Sequence, residues 1–245
     1  MYYRFYIGYE DREHAGFQVC SHSLQKRSSE PIVIAPLEHR TLRSRRLFSR
    51  EWKIDRGGQY WDLEDKKPFS TTFAHSRFLV PHIARGEGAS GWVAFCDLDF
   101  LFLADPVELF DLADPRYAVM CVKEFGEPQR KIKMDGMIQS KYPKKLWSSL
   151  VLWNLDHERN EFLTPDIVST QTGTWLHGFE WLDEDEIGTL PREWNYVPGI
   201  SKTLDKPKAI HYSQGLPFMP GYEKSEKSDL WITEYMDFLG HRRNN

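Results

Sequence analysis

Cysteine is scarce in this chain. The 245 residues contain three, Cys20, Cys96 and Cys121, an odd number with no CxxC spacing. That pattern gives no disulfide framework and fits a reduced, cytoplasmic setting. Long apolar runs are also missing: none approaches the roughly 18–20 residues that cross a bilayer. The opening Met1-Tyr2-Tyr3-Arg4-Phe5-Tyr6 lacks the layout of a secretory signal. There is no excess of positive charge. The formal net charge is −4, which argues against a surface built as a whole for nucleic acid and leaves room for a local basic patch. Internal repeats, low-complexity tracts and linkers are absent, so residues 1–245 read as one domain.

What is present is a chain able to bury a core: 40% of residues are hydrophobic. Phe5-Tyr6-Ile7-Gly8-Tyr9 reads as a strand, residues 12–27 as a helix capped by Asp11, and Ile32-Val33-Ile34 as a short strand stopped by Pro36. Strand, helix, strand favours a parallel sheet. Residues 39–67 are charged and read as mixed helix and surface loop. From Ser70 to Ala84 a helical pattern returns, with Phe73, Arg77, Val80 and Ala84 on one face and Pro81 kinking or ending it. Trp92-Val93-Ala94-Phe95-Cys96 is a continuous apolar strand of the central kind. Asp105-Pro106-Val107-Glu108 has the form of a helix start. Tyr117–Val122, Leu150–Leu155 and Ile210–Tyr212 read as further strands, the last followed by a Gly/Pro-rich tail. The expected class is α/β, with a mostly parallel central sheet flanked by helices.

The chemistry concentrates where the apolar strand ends. Asp97-Leu98-Asp99 follows it directly, and alternation puts both carboxylates on one side of the chain, about 7 Å apart at the backbone. Two hard oxygen ligands at a strand's C-terminal end suit Mg²⁺ or Mn²⁺, and ligands of α/β sheets gather at that edge. The same two aspartates would also serve as plain turn caps, and spacing does not separate the two readings.

Four segments together separate them. RFLVPHIARGEGASGWVAFCDLDFLFLADPVELF, WSSLVLWNLDH, GTLPREWNY and AIHYSQG resemble, in order and spacing, the core of glycosyltransferase family 8 and its distant bacterial relatives, over most of residues 70–215. The resemblance implies a GT-A (Rossmann-like) nucleotide-diphospho-sugar transferase fold. It also implies a metal held by Asp97, Asp99 and His211, and sugar transfer with retention of configuration. A nucleotide-binding part would occupy about 1–110, and an acceptor and donor-sugar part about 111–245. There are departures: Ser148-Ser149-Leu150 stands where the family has Asn-Ala-Gly, and HGFEWLDEDEIG where it has Asp-Gln-Asp.

On this reading Arg77 either grips phosphate or orients Asp97. Arg12 sits where a helix N-terminus favours anions, Tyr9 is placed to stack on the base, and Leu98 lies between the two ligands. Lys133, Asp135 and Gln139 are candidates to line the donor pocket. His177, Glu180, Trp181 and the run Asp183-Glu184-Asp185-Glu186 fall where the family places sugar contacts, with Trp181 able to stack on a ring. Arg40, Arg43, Arg45, Arg46, Arg50 and Lys53 form a basic stretch. If Arg43, Arg46, Arg50 and Lys53 share a helical face, the acceptor would be anionic: a glycan, a lipid head group or nucleic acid. Two competing functions remain. One is a phosphatase of the haloacid-dehalogenase type, which also places DxD after an apolar strand. The other is a sugar-nucleotide-binding protein without turnover.

Overall fold

The computed structural model describes residues 2–123 and 144–243. In chain order the elements are β1 (Tyr3–Gly8), α1 (His14–Arg27), β2 (Ile32–Leu37), α2 (His39–Ser44), β3 (Trp52–Ile54), β4 (Tyr60–Asp62), β5 (Pro68–Phe69), α3 (Val80–Gly86), β6 (Trp92–Cys96), β7 (Phe100–Phe102) and α4 (Glu108–Asp111). They continue with β8 (Val119–Cys121), β9 (Leu150–Asn154), α5 (Pro165–Thr170), α6 (Gly173–Gly178), β10 (Ile187–Thr189), β11 (Ala209–His211) and α7 (Ser228–Arg243).

A six-stranded sheet in the order β10-β8-β9-β6-β1-β2 forms the centre. The β1/β2, β1/β6 and β10/β8 pairs are parallel, and β9 runs antiparallel to both its neighbours. The expectation of a mostly parallel sheet holds. β6 and β9 lie in the middle, which explains their unbroken apolar sequences: all five residues of β9 are buried, as are the last four of β6. α3 packs against β9, and α1 against β7 and α7.

Several local expectations are corrected. β2 runs through Pro36 to Leu37, because it is an edge strand and Pro36 does not have to donate to a second neighbour. Residues 70–84 are not one helix. A 3-10 turn over Ser76–Leu79 precedes α3, and Pro81 sits in the first turn of α3, where its missing N–H costs nothing. Asp105 accepts from Val107 N at 3.0 Å, but the α-helix beyond starts only at Glu108 and is four residues long. The tail contains the 16-residue helix α7.

The stretch 39–67 holds a small antiparallel sheet, β3-β4-β5, beside the short α2. The shared basic helical face therefore does not exist: α2 ends at Ser44, and Lys53 lies on β3. Arg50 is fully buried, donates to the Asp62 carboxylate and reaches the Gln171 carbonyl at 2.5 Å. Arg43 donates to the Arg50 carbonyl and lies over the Trp52 ring, 4.4 Å from its centroid. Arg40 pairs with Asp11 at 2.8 Å. Arg43 and Arg50 are thus internal scaffolding, while Arg40, Arg45, Arg46 and Lys53 are exposed.

Candidate metal centre

β6 delivers Asp97 to the C-terminal edge of the sheet. Its backbone N–H donates to the Ser149 carbonyl at 2.9 Å, extending the β6/β9 ladder by one residue. The chain then turns through Leu98 and Asp99 into β7, which pairs antiparallel with β11 in a separate two-stranded sheet. His211 is the register partner of Phe100, and Tyr212 N donates to the Asp99 carbonyl at 2.9 Å. One aspartate is thus tied to the central sheet, and the other, with the histidine, to the small one.

The three side chains converge. His211 Nε2 lies 3.2 Å from Asp99 Oδ1 and 3.9 Å from Asp97 Oδ2. One ligand atom from each residue falls within 4.8 Å of the others, and all three residues are buried. The imidazole lies flat on the Phe100 ring, with centroids 4.5 Å apart and planes 14° from parallel. Its Nδ1 is 3.1 Å from Asn195 Oδ1. An amide oxygen only accepts, so Nδ1 carries a proton, and Nε2 is the ring nitrogen that faces the two carboxylates.

That arrangement fits a divalent cation. Acceptor atoms gathered in a buried space repel one another unless positive charge lies among them. Ligands about 2.1 Å from one ion are about 3 Å apart when adjacent and about 4.2 Å when opposite, and the two His211–carboxylate separations, 3.2 and 3.9 Å, fall in that range. Two carboxylates with one imidazole suit Mn²⁺ or Mg²⁺.

Arg77, on the 3-10 turn before α3, lies against Asp97. Its Nη1 lies 2.7 Å from Asp97 Oδ1 and donates to the Ser148 carbonyl at 3.0 Å. Its guanidinium sits 5.3 Å from the Phe73 centroid and 5.2 Å from that of Phe95. Tyr9 follows β1, whose Ile7 pairs with Cys96, so Tyr9 stands at the same sheet edge as Asp97. Its hydroxyl lies 3.1 Å from His14 Nδ1.

The other candidates meet different partners. Arg12 donates to the Ser70 carbonyl at 3.0 Å, lies 3.3 Å from Glu10 Oε1 and covers the Tyr60 ring. The Leu98 side chain is sealed in the core against Gly16 of α1. Trp181 is buried and packs with Trp153, Phe179 and the partly buried Trp175. His177 is buried, with Nδ1 2.9 Å from Ser148 Oγ. Glu180 is exposed. Asp183 and Glu186 form a capping box and pair with Arg159, and Glu184 pairs with Lys144. Lys133, Asp135 and Gln139 lie outside the described residues.

Sequence reasoning missed Asn195, Ser148 and Ser149. The signal for Asn195 was the Trp194-Asn195 pair at the end of GTLPREWNY. Burial pushes the Cys121 thiol up to about 12, and burial with the neighbouring Cys20 pushes Cys96 well above its ordinary value, so neither supplies a ready thiolate.

Comparison with known proteins places this geometry. Protein CDI of Arabidopsis thaliana is 44% identical over 241 residues, covering 96% of this chain and 87% of its own. The chain belongs to the Protein CDI family. No family profile matches it. Among solved structures, the bifunctional glycosyltransferase WbbM superposes with a TM-score of 0.61 at 16% identity, over 98% of this chain and 51% of its own. GlyE of Streptococcus pneumoniae TIGR4 gives 0.59 at 12%, over 98% and 63%. The galactosyltransferase LgtC, solved with donor and acceptor sugar analogues, gives 0.54 at 13%, over 96% and 95%. The chain spans about half of WbbM. These likenesses establish the GT-A fold for this member of the Protein CDI family and do not favour the phosphatase alternative. Among the described residues no helix is long and apolar enough to cross a membrane.

Proposed function

We propose that the protein is a metal-dependent glycosyltransferase, moving a hexose or similar sugar from a nucleoside-diphosphate donor to an acceptor with retention, as in glycosyltransferase family 8. The observation that carries this reading is the buried Asp97–Asp99–His211 cluster at the C-terminal edge of a GT-A sheet. The proposal treats the chain as one domain working in the cytoplasm, with donor nucleotide toward residues 1–110 and sugar and acceptor toward 111–245.

When bound, a divalent ion would offset the negative charge that develops on a diphosphate leaving group. The chain's own residues make that possible in three ways. Arg77 fixes Asp97 and offsets its charge. The ladder bonds from Asp97 and to Asp99 hold the turn between them. Phe100 covers one face of His211 and keeps water from it. Three protein ligands leave half of an octahedral shell for phosphate oxygens and water, so metal affinity is expected to be weak without nucleotide. An anionic acceptor now rests on Arg45, Arg46 and Lys53 beside Arg40, since Arg43 and Arg50 are engaged internally.

Hydrolysis of a panel of nucleotide sugars with Mn²⁺ is the direct test. EDTA should stop it and Mn²⁺ restore it. Asp99→Ala and His211→Ala should abolish it while leaving the unfolding midpoint within a few degrees, since an ion bound only with substrate adds little to the free protein. Activity that survives EDTA, or near-normal rates in both variants, removes the proposal. On any transfer product, proton NMR should show the donor's α configuration, and acceptor binding should weaken steeply with salt. A β product or salt-independent binding rejects retention or the anionic acceptor respectively.

A further inference from the structure

The Ser148-Ser149 dipeptide, where the sequence departs from Asn-Ala-Gly, carries contacts to both halves of the cluster. The Ser148 carbonyl accepts from Arg77, which holds Asp97. The Ser149 carbonyl accepts from the Asp97 N–H. Ser149 Oγ donates its one proton to the Leu146 carbonyl at 2.7 Å. With that proton used, Oγ can only accept from Asn195, whose Nδ2 lies 2.8 Å away. The amide orientation follows: Nδ2 faces Ser149 and Oδ1 faces His211, at 3.1 Å from Nδ1. Asn195 and Ser149 are both buried, so water does not compete for these bonds.

We propose that Ser149 and Asn195 are positioning residues that force the His211 proton onto Nδ1 and aim the Nε2 lone pair at Asp97 and Asp99. The order of bonds begins at a backbone carbonyl, a fixed acceptor, and each group in turn has one role left. A carbonyl, a hydroxyl and a carboxamide thus determine which ring nitrogen is available for coordination. Partners of this kind typically change metal affinity 10–100-fold when removed. The consequence for metal rests on the functional reading above. The tautomer does not.

The experiment uses the full chain, ¹⁵N-labelled and free of metal, at a pH where the His211 ring is neutral. Long-range ¹H–¹⁵N correlation should show Nδ1 protonated and Nε2 bare in the wild type. Asn195→Leu, similar in volume and unable to accept, should shift the ring toward the other tautomer and weaken Mn²⁺ binding, read by EPR of free Mn²⁺, about 10–100-fold. Asn195→Asp retains an acceptor and should keep both the tautomer and most of the Mn²⁺ affinity. Should Asn195→Leu fail to fold, Ser149→Ala, which frees the amide to turn and leaves Asn195 itself in place, should move the tautomer in the same direction. A wild-type ring protonated at Nε2, or a tautomer unchanged in Asn195→Leu or in the Ser149→Ala fallback, overturns the proposal. Wild-type protein that binds no Mn²⁺, with or without a nucleoside diphosphate, overturns the metal reading and leaves the tautomer result to decide this one.

Discussion

Arg77 is held through one nitrogen and by two rings. Two aromatic faces enclose its guanidinium, and one nitrogen meets both the Asp97 carboxylate and the Ser148 carbonyl. A flat, delocalised cation can fill that slot and a compact ammonium cannot. Arg77→Lys is therefore expected to lose turnover and Mn²⁺ affinity nearly as far as Arg77→Ala. The two should differ in stability. Arg77→Ala leaves the buried Asp97 carboxylate without its cation, at a cost of about 3–5 kcal/mol, whereas the lysine retains the charge and should cost less. Urea midpoints and Mn²⁺ titrations of both variants check this, and a lysine variant with full turnover would show that the flat shape is immaterial. At this scale Asp97, Asp99 and His211 were legible because each stands in a segment with its own signature. Asn195 and Ser149 were not, because their roles arise only when two loops distant in sequence meet.

Among the elements, β6 and β9 were legible from continuous apolar runs, which a central strand needs and a surface strand does not. β3, β4 and β5 were hidden: three residues or fewer per strand give no period to detect. The 3-10 turn before α3 was hidden differently: Phe73, Arg77, Val80 and Ala84 are spaced for one helix and all are buried, but Phe73 precedes the turn, Arg77 lies on it and the other two are in α3. The segment leading into that turn packs against β1 through Phe73. A Cβ placed on Gly8 would lie 2.4, 2.6 and 2.7 Å from three atoms of the buried Phe73 ring. Phe73 is also one wall of the Arg77 slot. Gly8→Ala should therefore displace the ring rather than simply fill space. A strand alanine gains about 0.5–1 kcal/mol over glycine, but overpacking a buried ring costs about 1–3 kcal/mol, so net destabilisation is expected. Mn²⁺ affinity should fall with it, because Arg77 loses a wall. A Gly8→Ala variant as stable as the wild type, with unchanged Mn²⁺ binding, would mean that β1 does not brace the site.

For the molecule as a whole, the least legible feature is how the C-terminal helix closes the fold. α7 shows no clear apolar stripe: Trp231 is fully buried while Ile232, Met236 and Leu239 are exposed. To the buried Trp231 and the edge contact of Phe238 on His22 of α1, 5.7 Å between centroids, are added charged contacts. Glu234 is buried, accepts from Arg27 at 2.7 Å, lies 2.7 Å from His22 Nδ1 and is 3.8 Å from Lys26. Burial raises the Glu234 carboxyl, but the hydrogen bond and charge of Arg27, with Lys26 and His22, outweigh it and hold the group below its ordinary 4.5. A carboxyl lowered by folding contributes stability that is fully present above the unfolded value and is lost as pH falls through the folded one. Glu234→Gln should therefore be less stable than the wild type at pH 7, by about 1–3 kcal/mol for a charge-assisted contact. The gap should persist down to about pH 5 and close as the wild-type carboxyl takes up its proton below 4.5. Urea unfolding of both proteins at pH 7, 5, 4 and 3.5, each about a unit or less apart below 5 to resolve the closure, reads this directly. A gap that stays constant down to pH 3.5 would show that shape, not charge, holds α7 against α1.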